Sequence, residues 1–354
     1  MPTNFNSIIP FPLTIPGDFV TQNALSDPWT EPSPDYRVED YPDLDRKCLF
    51  CTTTGVEIVR VKGADTDKFL QGQATCDIAA VNIDQAGRGA ICTPQGRMIS
   101  NFDIYRTGPD EIRLLLPQGM AEPTLTHLKK YAVFYKTELS LETGQRIAAV
   151  FGEGADQQIT QLAGDANEHS AREIHRGRAI RIATDHWLLV IDPDAAIDLW
   201  RSISEHVIPA GDNLWRLNKI RAGLGDVVPQ TREEFIPQML NLQHIGAISF
   251  RKGCYTGQEI VARMQYLGKL KRRMYRLSIN ATAPPEPGTE LLDSPGGRPV
   301  GNVVIAATAG ENRIELLAVL TNEAATGGTV AIGETSLPFE VLAMPYDDDF
   351  DRAE

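Results

Sequence analysis

The spacing of apolar positions changes several times along this chain, and each change predicts a different element. In "GVEIVRVKG", Val56 and Ile58 share one face while Val59 and Val61 share the other, which predicts a strand covered on both sides. "DTDKFLQGQ" then predicts a short helix with Asp65 as its cap. "GAICTPQGRMISNFDIYRTG" and "EIRLLLPQG" read as strands joined by turns. "MAEPTLTHLKKYAV" returns to helical spacing, with Leu125 and Leu128 inward. The theme repeats as "QRIAAVFGEG" (strand), "ADQQITQLAG" (helix), "AIRIATDHWLLVID" (paired strands) and "AAIDLWRSISEHV" (helix). Strand and helix mix without a regular βαβ period, so the fold class is α+β.

After Arg276 the pattern turns to short apolar runs, among them "YRLSINA", "NVVIAAT", "RIELLAVL" and "LPFEVLAM". Gly, Pro, Asn and Asp punctuate them closely, the signature of a small β-barrel or sandwich. The expected domains are two α+β units, at about 46–142 and 143–271, and a β-barrel at 272–345. Residues 1–45 read as an irregular proline-rich arm that packs over the body. Residues 346–354 read as an acidic, solvated tail.

The 354 residues carry a formal charge of −13, which argues against direct nucleic-acid binding. One local basic run, Lys269, Lys271, Arg272, Arg273 and Arg276, could hold an anion. No apolar run is long enough to span a membrane. No Lys or Arg precedes Arg37, which argues against a basic targeting leader and makes the cytoplasm the expected compartment. Five scattered cysteines do not resemble a disulfide framework. Cys48 and Cys51 form a lone CxxC, read as two thiols near the start of a strand, and no metal site is expected.

The stretch "SFRKGCYTGQEIVARMQYLGKLKRR" carries the chemistry. "TGQE" fits a capping box, with Thr256 as cap and Glu259 reaching back. Ile260, Val261 and Met264 supply an apolar stripe, and Gly268 ends the helix. Cys254 then lies just outside a helix mouth, where the dipole favours a thiolate, and Arg251 and Lys252 add positive charge. Gly253 and Gly257 let the backbone turn around the thiol. A free cysteine is also often a mere space-filler.

"KGCYTGQE" resembles the signature of the YgfZ-type folate-binding proteins, relatives of the glycine cleavage T-protein, the aminomethyltransferase. "GADTDKFLQGQATCDI", "TPQGRMISNFDIYR" and "FIPQMLNLQHIGAISFRKGCYTGQE" resemble further blocks of that family, so the resemblance covers roughly 48–345. It implies two α+β units and a small β-barrel in a ring-like three-part arrangement around a tetrahydrofolate site. It implies a role in iron–sulfur cluster assembly or repair, including clusters of tRNA-modifying enzymes, with those enzymes or cluster carriers as partners. Site residues carried over by the motif are Cys254 and Lys252 as the reactive pair, with Gly253, Tyr255, Gly257, Gln258 and Glu259 around them. Asn101, Arg221, Gln243 and Arg263 are the expected cofactor contacts.

Two positions depart from the relatives. Where the T-protein has a carboxylate beside folate, this chain has Ser100 and Asn101, with Asp103 nearby as a structural carboxylate. Neither Ser100 nor Asn101 can carry the charge or take the proton of aminomethyl transfer. In "IRAGL", Arg221 stands where many relatives have an acid, and a guanidinium cannot accept a hydrogen bond from the pterin. Three functions compete: a folate-linked iron–sulfur maintenance factor, a folate-dependent one-carbon transferase, and a non-enzymatic docking protein for cluster carriers.

Overall fold

A computed structural model describes residues 28–29, 47–52, 54–164, 167–266 and 270–346. Strand β1 (Leu49–Cys51) leads into β2 (Val56–Lys62), helix α1 (Thr66–Gln71), β3 (Gly87–Cys92), β4 (Met98–Gly108), β5 (Glu111–Pro117), α2 (Ala121–Ala132) and β6 (Glu138–Glu142). Strands β2 to β6 form a five-stranded sheet in the order β3-β4-β5-β2-β6. The two faces foreseen for β2 are both covered: Val59 and Val61 join the main core, and Val56 and Ile58 face a second cluster. Asp65 does not cap α1 with its side chain. Its carboxylate instead accepts from the Lys136 N–H at 2.7 Å, because Lys136 returns beside it from α2. Leu125 and Leu128 of α2 are buried, as their spacing predicts.

The second unit contains β7 (Arg146–Phe151), α3 (Ala155–Ala163), β8 (Ala171–Ile174), β9 (Gly177–Ala183), β10 (His186–Ile191), α4 (Pro193–Ile203), β11 (Ile208–Pro209) and α5 (Asp212–Arg221). Its sheet runs β11-β1-β7-β10-β9-β8, so β1 crosses over to pair with β7 and β11. Every residue of β10 is buried. Trp187, Leu189 and Ile191 pack under α3 and α4, while Leu188 and Val190 face Trp215 of α5 and the first sheet. A strand buried on both faces reads as a continuous apolar run, which is what "HWLLVI" is. Trp29 lies edge-on to Phe50 at 5.7 Å, so this piece of the proline-rich segment docks on the second unit. The rest of that segment falls outside the described residues, as do the expected helix stop at Gly268 and the acidic tail beyond Tyr346.

Helix α6 (Gln258–Tyr266) precedes a closed barrel made of β12 (Arg272–Asn280), β13 (Glu290–Leu292), β14 (Pro299–Gly310), β15 (Arg313–Thr321), β16 (Thr329–Ile332) and β17 (Thr335–Leu342), with α7 (Asn322–Gly327) between β15 and β16. Leu277, Val303, Ile314 and Leu316 fill the barrel, while Met274, Val304, Leu317 and Val319 join the core of the body. Both sides of these strands are therefore apolar, one for the lumen and one for the junction. No helix among the described residues is long and apolar enough to cross a membrane.

Candidate functional site

The structure does not bring together all the residues singled out by the sequence, and two places stand out. The first is the signature loop ahead of α6. Lys252 is buried, and its Nζ donates to the carbonyls of Ala74 at 2.8 Å and Cys76 at 2.7 Å. The thiol this ammonium faces is Cys76, not the Cys254 expected from sequence. Burial pushes the Cys76 thiol up to about 11 while Lys252 opposes the rise. Burial likewise holds Lys252 down to about 8, with Cys76 and Asp77 working the other way. The Tyr255 ring lies 5.2 Å below the ammonium and is itself buried. Cys254, between these two anchors, is exposed.

The capping box expected at Thr256 and Glu259 does not form. Gly257 takes a positive φ of 86° between Thr256 and the helix, which moves Thr256 away from the cap position. The Thr256 N–H donates to Gly72 O at 3.2 Å, and its hydroxyl turns to Gln73 Oε1 at 3.5 Å. Gln258 serves the helix mouth instead, its Oε1 accepting from the Tyr255 N–H at 3.3 Å. Glu259 is exposed. A Cβ on Gly257 would lie 2.6 Å from Thr93 O, and one on Gly96 would lie 2.9 Å from Ile260 Cβ. Those two glycines let the β3–β4 turn and the signature loop touch backbone to backbone. Gly253 faces open space. The loop is also tied through Thr75, whose Oγ1 donates to Ala247 O at 2.7 Å and accepts from the Ala90 N–H at 2.9 Å.

The second place is a cleft between the two sheets and α5, of about 390 Å³ counting the part open to solvent. Arg88, Asn101, Asp103, Lys219 and Asp226 supply its polar wall, and Ile182, Leu188 and Trp215 its apolar wall. No residue of "KGCYTGQE" lines it. Arg88 Nε donates to Asp103 Oδ1 at 2.7 Å. Burial works against the Arg88 charge, but Asp103, Asp226 and Tyr346 outweigh it and hold the guanidinium above its ordinary value. Lys219 pairs with Asp226 and lies 5.9 Å from the Trp215 ring centre. Sequence reading passed over Arg88, Lys219, Asp226 and Trp215, which sit in separate segments without a shared motif.

The four expected cofactor positions divide. Asn101 is buried and spent at both ends: Nδ2 donates to Gly225 O at 2.9 Å, and Oδ1 accepts from the Val227 N–H at 2.7 Å. It clamps the 225–227 segment to β4. Its neighbour Ser100 accepts from Thr124 Oγ1 at 2.8 Å. Arg221 donates to Glu315 Oε1 at 3.1 Å, and Arg276 donates to Oε2 of the same carboxylate at 2.7 Å. Arg221 thus joins α5 to the barrel, and Arg276 of the basic run is drawn into the same ion pair. Gln243 keeps both amide atoms buried and unpartnered among the described residues. Arg263 is exposed on α6.

The acceptors and apolar surfaces of the cleft are of the kinds that suit a pterin ring. Carboxylates at Asp103 and Asp226 can accept from N–H edges, and the Trp215, Ile182 and Leu188 surfaces can cover the faces. The CxxC pair has a different character. Cys51 is buried, and burial with the charge of Asp185 pushes the Cys48 thiol up to about 12, which disfavours the thiolate a metal needs. Among the described residues no group of three or more His, Cys, Asp or Glu stands together as a metal site.

No family model matches the chain. Among curated proteins it is similar to the tRNA-modifying protein YgfZ of Escherichia coli O127:H6 (strain E2348/69 / EPEC), 30% identical over 295 residues that cover 82% of this chain and 90% of the relative. The tRNA-modifying protein YgfZ of Aliivibrio fischeri (strain MJ11) is 34% identical over 291 residues, 82% of this chain and 89% of the relative. The glycine cleavage system aminomethyltransferase T from Bartonella henselae shares the fold, with a TM-score of 0.64 at 13% identity, covering 88% of this chain and 90% of that one.

Proposed function

The chain belongs to the YgfZ family of tRNA-modifying proteins, and from that premise we propose that it supports iron–sulfur cluster assembly or repair in enzymes that include those modifying tRNA. Cys254 is the working thiol in this reading. The observation that carries it is an exposed thiol on a loop that Lys252, Thr256 and Gln258 tie down on either side of it. A thiol held outward on a fixed backbone can reach sulfur or iron carried by a second protein without that protein entering the cleft. Lys252 acts here as a positioning residue through the Ala74 and Cys76 carbonyls.

Tetrahydrofolate belongs in the cleft in this reading, with Asp103 and Asp226 accepting from the ring and Trp215 against its face. When bound, it supplies a carrier for one-carbon units. Arg88 and Lys219 hold the two carboxylates in place. Asn101 cannot serve as the base of aminomethyl transfer, because an amide takes no proton at neutral pH and both its ends are occupied. That disfavours the classical T-protein reaction.

The test is complementation in cells that lack the native gene, reading iron–sulfur-dependent tRNA thiolation by nucleoside mass spectrometry. Cys254→Ala is expected to lose it, and full thiolation would overturn the thiol's role. For the cofactor, calorimetry with tetrahydrofolate should give binding that Asp226→Asn weakens about tenfold, the value of one charge-assisted hydrogen bond. Absence of binding to the wild type would remove folate from the reading and leave the thiol test standing.

A further inference from the structure

The chain carries net charge −13, and the arginines of the first-unit sheet are mostly paired with carboxylates: Arg60, with Lys62, on Glu111, Arg88 on Asp103, Arg106 on Asp67, Arg113 on Glu142. One cluster departs from this. Lys68, Lys129, Lys130 and Lys136 are exposed and form no ion pair among the described residues. They surround the end of α2, where Val133 is 74% exposed and Phe134 82% exposed. Single exposed apolar residues are common, but two adjacent ones at the apex of a fixed turn are not.

The turn is fixed from both sides. Tyr131 and Tyr135 fold back against the core, and Tyr135 meets Phe69 at 5.4 Å. The Tyr135 N–H donates to Ala132 O at 2.9 Å, and the Lys136 N–H is held by Asp65. Lys68 lies 5.9 Å from the Tyr135 ring centre, which brings the fourth lysine to the same spot. Asp67 pairs with Arg106, while Asp65 accepts from the neutral Lys136 N–H and keeps its charge, so the four lysines outnumber the one carboxylate left beside them without a cation among the described residues. Val133 and Phe134 are thereby presented outward on a backbone that has little freedom left to lose on binding.

We propose that this knuckle is the docking anchor for a protein partner whose surface carries an apolar pocket ringed by carboxylates. An apolar centre inside a charged rim is the anatomy of an interface hot spot. The lysine rim selects an acidic partner and speeds its approach. Val133 favours protein over RNA, because an aliphatic side chain needs a pocket and cannot stack on a base as Phe134 could. The knuckle adjoins α1, and Gly72 at the end of α1 accepts the Thr256 N–H of the signature loop. Lys68 and Gly72 are about 6 Å apart along that helix. The knuckle and the signature loop are thus joined through α1; that a partner on the knuckle also serves Cys254 rests on the thiol reading above, whereas the anchor itself does not.

The test places photoreactive benzoylphenylalanine at position 134 of the full chain in cells, identifies the adduct, and measures the purified captured protein by fluorescence anisotropy. Phe134→Ser and the double variant Lys129→Glu/Lys130→Glu should each weaken its affinity at least about tenfold. Wild-type affinity should fall with added salt, and the double variant should lose most of that dependence. Cys254→Ala should leave affinity unchanged, which keeps this test separate from the thiol's role. Phe134→Ser should leave the thermal midpoint unchanged, since the ring packs on little. The proposal is overturned by an adduct that ribonuclease removes, by an adduct to a second copy of this chain, by no adduct at 134, or by affinity indifferent to both variants.

Discussion

In the cleft, Arg88 faces Asp103 and Lys219 faces Asp226, so charge is met by charge. In the signature loop, the buried ammonium of Lys252 donates to two backbone carbonyls rather than to a carboxylate, and Cys254 is left exposed. Any polar edge that entered the cleft would compete with those existing pairs. The loop is built to hold still and expose one atom. Lys252, Tyr255, Gly257 and Gln258 of the short motif thus do mechanical work.

Four changes test that contrast, beginning with the largest expected effect. Arg88→Leu leaves Asp103 in the cleft without its cation, and urea unfolding should show a loss of about 3–5 kcal/mol. A loss below about 1 kcal/mol would mean that the cleft charges are solvated rather than mutually dependent. Asn101→Asp comes next. The Val227 N–H can still donate to the new carboxylate, but the other oxygen would confront Gly225 O. The expected cost is about 1–3 kcal/mol, with no gain of aminomethyl transfer in a formaldehyde-release assay. Unchanged stability would show that the clamp on 225–227 is dispensable.

The third change tests the loop through pH. Lys252 is held at about 8 when folded, against an ordinary value of 10.5. Between these values the unfolded chain binds more protons than the folded one, so stability rises with pH through that window. The wild-type urea midpoint should accordingly climb relative to Lys252→Met from pH 8 to pH 10. A constant difference would mean that the ammonium is not desolvated. The smallest effect belongs to Cys254→Ser, whose side chain is exposed and should change stability by less than about 0.5 kcal/mol. A larger change would show that the thiol packs rather than reacts.

Much of this was legible before folding. The two-faced β2, the inward Leu125 and Leu128, and the short apolar runs of the barrel all follow from spacing, because burial on one or both faces leaves a periodic trace. Hydrogen-bond partners were less accessible. Thr256 and Glu259 have capping-box spacing, yet the positive φ of Gly257 takes Thr256 out of reach. Lys252 adjoins Cys254 by two residues in sequence, yet it spans to the 74–76 segment, more than 170 residues away along the chain. Arg221 sits where a cofactor contact was expected, yet Glu315 of the barrel claims it.

The sequence by itself determined the α+β class, the barrel and the family, because periodicity and a long specific motif are local properties of the chain. Only the tertiary structure decided which side chains are spent and which are free. Asn101, Arg221 and Lys252 each find their partners far along the chain, and nothing in their neighbours predicts that pairing. Electrostatics and hydrogen bonding act across space at a few ångströms, so they depend on contacts that exist only after the two sheets and the barrel have closed on one another.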